Sequence, residues 1–520
     1  MRFCTIHSAI STGAIFLVAS GTLAAEGAKS AEKVADWPVK TAASFHAEYR
    51  ALTQSLSPLP LDEMGTRLGQ YAWAEQRLRL GTNIVVAAPK LRFELEADVL
   101  TGPFAGDTTT IGAGRLLLPR EANDGPRRFL PRKASMALRT SFGEFRLGHT
   151  TSRWGLGLLA NDGAQDSDFD VARLGDVVER VAFATRPFAK RAGSLARNIY
   201  IAVAGDFVYR DTNASVVDGD LAGNGVVSLF YKDADSFLGL YSAYRRQKDR
   251  DDDDTRAAAV DIAGDFRRTI AGGDFELGIG FEAFALLGST NRLRPDASPN
   301  GVTIQAGAAV LRATLEGHAT PEKPAWWGAS IEGGFVSGDN DRTDGTMRAA
   351  SLHPDYRVGM VLFPEVMAAM TARASDRLAD PSLTATPPKG YEHLPSQGSV
   401  QNAYYLWPRV TIRPLPRLTL RAGVLFARAV ADVIDPFLTN RAGGTNRNFF
   451  DRASEGSHDL GIEVNASVRY TQPLAKGLAV HVGVDWGHLF PGNAFLDATG
   501  KRLPDIDRVQ ANLLVDWRFE

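Results

Sequence analysis

Arg508-Val-Gln-Ala-Asn-Leu-Leu-Val-Asp-Trp-Arg-Phe-Glu520 ends the sequence. Val509, Ala511, Leu513, Val515, Trp517 and Phe519 fall on one side of an extended chain, and Gln510, Asn512, Asp516 and Arg518 on the other. Successive side chains of a strand point to opposite faces, so this is a strand with one apolar and one polar surface. Whether the polar surface faces outward or inward depends on the strands around it.

Stretches of the same kind recur from Ala42 onward, about 18 in all, an even number as a closed single-chain barrel needs. What separates them alternates. Tight joins at residues 87–89, 142–144, 233–235, 271–273, 414–416 and 473–475 each close an even-to-odd hairpin, while long polar insertions at 103–132, 153–178, 337–400 and 431–457 close odd-to-even ones. Short turns on one rim and long loops on the other are the signature of a transmembrane, antiparallel, up-and-down β-barrel with periplasmic turns and extracellular loops. Within 337–400, residues 355–363 compete as a strand, but Glu365-Val-Met-Ala-Ala-Met-Thr-Ala-Arg-Ala374 favours a helix. The whole insertion is therefore expected to be one partly helical outer loop, which keeps the strand count even.

Composition agrees with this class. The 520 residues carry 58 Lys and Arg against 60 Asp and Glu, a net charge of -2, which gives no pull toward nucleic acid. Fifty glycines and 26 prolines suit many strands and turns. Arg2, an apolar run at 14–19 and small residues at 24–28 read as a signal peptide over 1–25, followed by a leader over 26–41 and a barrel over 42–520. Cys4 is the only cysteine and lies in that signal, so a mature chain would carry no disulfide, thiol chemistry or lipidated cysteine. With no later apolar run long enough for a helix, an exported chain of this kind enters a membrane as a barrel. The expected location is the outer membrane of a Gram-negative bacterium, in contact with its lipid.

Sorted by alternation, the polar face holds cations that are almost all arginine: Arg77, Arg79, Arg92, Arg139, Arg146, Arg210, Arg245, Arg312, Arg409, Arg413, Arg421, Arg469 and Arg518. Carboxylates such as Glu94, Glu96, Asp98, Asp261, Asp265 and Asp485 share it. Guanidinium forks onto carboxylate where ammonium does not, so an arginine and carboxylate lattice fits a confined, watery lumen. Such a lattice either neutralises itself and stiffens the wall or sets up a transverse field that orients a solute. Tyr71 and Trp73 on the same face offer rings to a sugar, whereas Trp486, Trp517 and Phe519 fit an interfacial girdle.

In the loops, Asp166, Asp168 and Asp170 have the two-residue spacing that wraps calcium, but the terminal Glu of a calcium loop is missing and a solvated loop is the stronger expectation. The acidic run at 249–254 is expected to stay hydrated. No hydrolase, metalloprotease or phosphate-loop motif occurs, and Ser457, His458 and Asp459 are strand neighbours that point to opposite faces. No enzyme activity and no cofactor is expected.

Several segments carry a family likeness: residues 76–98, Trp154-Gly-Leu-Gly with Ala160-Asn-Asp-Gly163, Gly175-Asp-Val-Val-Glu-Arg180, Tyr244-Arg-Arg-Gln247, Val336-Ser-Gly-Asp-Asn340, Asp355-Tyr-Arg-Val and Gly487-His-Leu-Phe-Pro-Gly-Asn-Ala-Phe495. Together they resemble porin-like outer-membrane barrels known chiefly from myxobacteria, and the last is similar to the end of alginate-export-type porins. The resemblance implies a channel for small hydrophilic or saccharide-like solutes, with a polysaccharide export conduit as the alternative. Alginate-type conduits are strongly cationic, and the balanced face here departs from that. The resemblance also implies that Arg153, Trp154 and Asp162 help fold their loop into the pore. Barrels of this kind end on an aromatic residue read by the assembly machinery, and Phe519 is the candidate, with Glu520 an overhang.

Overall fold

The computed structural model of the protein describes residues 41–519, except 70, 87–89, 108–110, 112–128, 174, 192, 295–297, 318–324 and 342–343. The signal peptide, the leader up to residue 40, the tight join at 87–89 and Glu520 lie outside the described residues.

Strands follow the alternating stretches in order: β1 (Ala42–Leu56), β2 (Ala72–Val86), β3 (Leu91–Gly106), β4 (Leu130–Arg139), β5 (Glu144–Thr151), β6 (Val177–Thr185), β7 (Ile199–Arg210), β8 (Leu221–Lys232), β9 (Ser236–Lys248) and β10 (Asp254–Ile270). The second half continues with β11 (Phe275–Thr290), β12 (Val302–Gly317), β13 (Trp327–Val336), β14 (Thr346–Met347), β15 (Ala403–Leu415), β16 (Leu418–Ala429), β17 (Asp459–Ala475), β18 (Leu478–Pro491) and β19 (Ile506–Phe519). All belong to one 19-stranded sheet. The two-residue β14 is a loop segment lying parallel to β12, which leaves eighteen wall strands, each antiparallel to its neighbours. β1 pairs with both β2 and β19, so the sheet closes on itself and leaves no unpaired edge.

The sequence alternation sets which way each strand faces. On β19, Val509, Leu513, Trp517 and Phe519 are exposed on the outside while Arg508 and Gln510 are buried inside. Leu238, Leu240, Val260, Ile262, Leu311 and Ile331 continue the outer apolar surface around the wall. An apolar band of this extent has hydrocarbon as its solvent, and closure of the sheet satisfies the backbone groups that hydrocarbon cannot. The wall is a transmembrane β-barrel.

The rims differ as the spacing predicts. β10 and β11 join through Ala271–Gly273, where Gly272 takes the left-handed φ of 70° that a side chain would strain. Residues 337–400 form no wall strand over 355–363. They run instead into a π-turn (Leu362–Met367) and helix α1 (Ala368–Ala379), a segment rich in Ala and Met. The loop is not simply extracellular, however. It folds back inside the wall, and its Val358, Met360, Phe363, Val366 and Met370 join Leu156, Leu158 and Phe169 of the 152–176 loop and Leu59, Leu61 and Leu68 of the β1–β2 connection in one buried apolar cluster. The core of this barrel thus sits in its lumen, toward the long-loop rim.

Candidate functional site in the lumen

The first inserted loop leaves β5 and is pinned at its root. Trp154 packs edge-on against Phe230 and Phe237 and beside Tyr241, and its Nε1 donates to Asp261 on β10 at 2.9 Å. Gly155 has φ 51°, and a Cβ there would fall 2.4 Å from a Glu282 oxygen. That absence of a side chain lets the backbone N–H groups of Gly157 and Leu158 reach Glu282 on β11, at 2.9 and 3.1 Å. Arg153 binds Asp162 at 3.2 Å and closes the root. Arg153, Trp154 and Asp162 are buried and spend their polar atoms holding the loop, so they position the constriction rather than line an opening.

From that root the loop crosses to the far wall. Asp166 meets Arg50 on β1 at 2.7 Å; Asp168 meets Arg409 on β15 at 2.8 Å and Arg421 on β16 at 3.4 Å; Asp170 meets Arg508 on β19 at 3.2 Å. The expectation of a solvated loop is corrected accordingly: Asp170 is buried and each of the three carboxylates is spent on a different arginine. They do not turn to a common centre, and no group of three or more metal-ligand side chains forms among the described residues. Burial would push the Asp168 carboxyl up, but Arg409, Arg421, Arg312 and Arg469 hold it below the usual carboxylate range.

The second loop locks onto the first and onto the wall. Asp355 accepts from the backbone N–H of Arg173 and Gly175, both at 2.7 Å, and His353 Nε2 lies 3.2 Å from Asp176. Glu463 on β17 accepts from the N–H groups of Met360, Val361 and Leu362, where the chain turns toward α1. Arg508 donates to the Met360 carbonyl at 2.8 Å and faces Glu365 at 3.3 Å, so one guanidinium joins both loops to the last strand. From α1, Arg373 and Arg377 reach Asp62 and Glu63 of the β1–β2 connection at 2.9 and 2.7 Å.

The His353 contact titrates. Burial disfavours the imidazolium, but Asp176, Asp355 and Asp211 outweigh it and raise the His353 pKa above its ordinary value. A raised folded-state pKa means that the stabilisation is complete below the ordinary histidine value and is lost as pH rises through the raised one. The exchange protection factors of residues 345–360, taken relative to the intrinsic base-catalysed rate, should therefore fall on going from neutral to alkaline pH, and His353→Gln should flatten that fall. Wild-type protection factors that do not change with pH would contradict the assignment.

On the wall, the arginine and carboxylate candidates mostly find one another. Arg79 binds Asp98, Arg77 binds Glu48, and Arg92 binds Glu94, at 2.7, 2.7 and 3.0 Å. Arg312 and Arg469 bind Glu332 and Asp485 at 2.8 and 3.2 Å. Glu96 takes Arg132 and Lys133, Arg245 takes Asp211, Arg139 takes Glu144, and Arg146 lies between Glu94 and Glu144. Arg210 and Asp265 also face inward, and Arg413 donates to the Ala325 carbonyl at 3.1 Å near the short-turn rim. Arg518 continues the inner face of β19, with its side chain 72% exposed beside Asp516 at the short-turn end.

Trp73 is also corrected. It is buried in the apolar cluster under the loops, so its ring is covered by the chain and is not offered to a sugar. The acidic run at 249–254 is partly withdrawn from water, since Asp249 pairs with Arg292, and Asp253 with Arg294 and Lys389. His458 meets Asp432 at 3.1 Å rather than its sequence neighbours. Arg508, Arg50 and Arg173 stand outside the expected set. For Arg508 and Arg50 the signal is present, two positions before Gln510 on β19 and four before Gln54 on β1, each on the polar face; for Arg173, in a loop, no periodicity marks it.

No protein-family model matches the chain, and no curated protein matches it. Among solved structures it is similar to OccK8 (OprE) of Pseudomonas aeruginosa, with 11% identity, TM-score 0.49 and coverage of 92% of this chain and 98% of that one. OccAB1 of Acinetobacter baumannii shows 10% identity and TM-score 0.48, over 92% and 96% of the two chains. The outer membrane protein OprD from Pseudomonas aeruginosa shows 11% identity and TM-score 0.45, over 92% and 94%.

Proposed function

We propose that this barrel is a loop-constricted, porin-like channel of the Gram-negative outer membrane for small hydrophilic or saccharide-like solutes. One observation carries the reading: two loops lie inside the wall with their charges matched to a wall lattice, while beneath them Glu48, Arg92, Glu144, Asp265, Glu276 and Arg413 stay only partly buried on the inner face. Ionic side chains that keep water around them mark a hydrated vestibule on the short-turn side, narrowing to the loops. A solute entering there meets both signs of charge within one constriction, an arrangement that favours small polar molecules over a polyanion. An alginate-like export conduit fits less well, because Asp166, Asp168 and Asp170 bring carboxylates into the path and cap the arginines a polyanion would need. The short motifs resembling myxobacterial porin-like barrels point the same way. Planar-bilayer recording with reversal potentials tests the reading: discrete steps of weak ion selectivity are expected, and strong anion preference would restore the export alternative.

The same reading gives Phe519 a partner. It is exposed on the outer face at the end of β19, paired with Phe45 of β1 at the closing seam. Recognition by the barrel-assembly machinery predicts that Phe519→Ala lowers the yield of membrane-inserted, heat-modifiable barrel, whereas removing Glu520 does not. Equal, normal assembly of both variants would overturn that role.

A further inference from the structure

The outer surface holds a feature that the lumen does not use, at the loop-side ends of β7 to β11. Outward positions on β9 run Leu238, Leu240, Tyr244, Arg246 and Lys248, and the register places Arg246 directly opposite Arg256 of β10. Both arginines are exposed. Like charges facing each other across neighbouring strands repel. Neither has an ion-pair partner among the described residues, whereas Lys248, one step further toward the rim, binds Asp252 at 2.8 Å. One step toward the membrane centre the surface turns apolar, with Tyr244 on β9 and, across from Ala258, Leu287 on β11.

Beside the arginines the wall lacks side chains. Gly223 pairs with Arg246, Gly225 with Tyr244, and Gly205 of β7 with Gly225. A Cβ built on Gly205 or Gly225 meets no atom within 4 Å. The glycines thus floor an open trough, flanked by exposed Phe207 and Leu221 near the rim and by Val203 and Val227 deeper in. Its upper end is a cleft of about 280 Å³ lined by Phe207, Leu221, Gly223, Arg246, Lys248 and Asp254. Glycine in a strand interior weakens the strand and often marks the close approach of a ligand.

We propose that this groove seats a phosphorylated, multiply acylated glycolipid of the outer leaflet, with a phosphate between Arg246 and Arg256 and an acyl chain along Gly223, Gly225 and Gly205. Two opposed guanidiniums offer forked donors to a phosphate, which removes their mutual repulsion. Tyr244, apolar on its ring and polar at its hydroxyl, sits at the level where headgroup meets hydrocarbon. The exposed Ser289 opposite Arg256 and the carboxylate of Asp254 are partners for sugar hydroxyls. The inference rests on the wall spanning a membrane with its long loops outside, and not on what passes through the lumen.

Native mass spectrometry and thermal melts of the full chain in detergent, titrated with lipid A, dephosphorylated lipid A and phosphatidylglycerol, provide the test. Lipid A should stay bound and raise the melting temperature. The double change Arg246→Gln and Arg256→Gln should weaken that binding by about tenfold or more, as loss of charged hydrogen bonds to one phosphate implies. Gly225→Leu, which keeps both arginines but fills the trough, should weaken it as well. Because these positions face away from the lumen, the yield of membrane-inserted, heat-modifiable barrel should match the wild type for both variants, which also shows that they fold. Equal binding of dephosphorylated lipid A, or unchanged binding by the arginine variant, would overturn the phosphate seat. Equal binding of phosphatidylglycerol would overturn the choice of a glycolipid, and unchanged binding by Gly225→Leu would remove the acyl trough.

Discussion

Arg508→Ala is expected to release both inserted loops while leaving the barrel closed. The Arg508 side chain is 1% exposed and bridges Asp170 of one loop, Glu365 and the Met360 carbonyl of the other, and Gln54 of β1. Removing it takes a buried cation away from both carboxylates, and because Asp170 keeps Arg173 at 3.2 Å the cost should fall toward the low end of the range of about 3–5 kcal/mol typical of a broken buried pair. The wall does not depend on that side chain, since β19 is held by its backbone ladders to β18 and β1. The variant should therefore insert normally, become cleavable by protease within residues 160–175 and 355–370, and conduct several-fold more current than the wild type. Normal insertion with unchanged protease resistance would show that Arg508 is not the fastening point.

Glu463→Leu should have the next largest effect, through the opposite kind of loss. Glu463 is fully buried and its two oxygens serve three successive N–H groups at residues 360–362, where no helix yet satisfies them. A leucine leaves those donors buried without an acceptor, at about 1–3 kcal/mol for each unsatisfied group before relaxation. Hydrogen exchange of residues 358–367 should rise by orders of magnitude relative to β17 itself. Glu463→Gln, which keeps one acceptor oxygen, should lie between. If the leucine variant protects the segment as well as the wild type does, the carboxylate is not its anchor.

These two residues also show where sequence information stops. The wall was legible because its rule is local: period-2 alternation in Val509, Leu513 and Trp517, and the parity of short and long joins, specify both the strands and the direction each face points. The arginine-rich inner face followed from the same rule. What the rule does not contain is the partner of each inward side chain. Asp168 finds Arg409 and Arg421 across the lumen only once 18 strands have closed, and Glu463 finds the 360–362 backbone only once a loop begun on β13 has folded inward. A carboxylate spacing that suits a cation and one that meets three separate arginines look identical in one dimension. Apolar residues such as Leu59, Leu158 and Phe363 carried a similar ambiguity, since nothing local distinguishes a loop that packs against itself outside from one that builds a core within the wall.

On the proposed channel reading the charge arrangement has a consequence. Opposite signs bound to each other leave little net field along the axis, so passage would be governed by size and by exchange of hydrogen bonds with Arg421, Arg413, Glu48 and Glu144, and salt should alter the rate of entry only modestly.

Single-channel recording of the folded full-length barrel in planar bilayers, beside a variant in which residues 341–399 are replaced by a short turn, tests the central claim most directly. Discrete conductance steps in the wild type, enlarged several-fold by the excision, are the predicted result. Steps that appear only after excision, or in neither protein although both are fully inserted, would contradict it and make the inserted loops a permanent plug in a structural barrel.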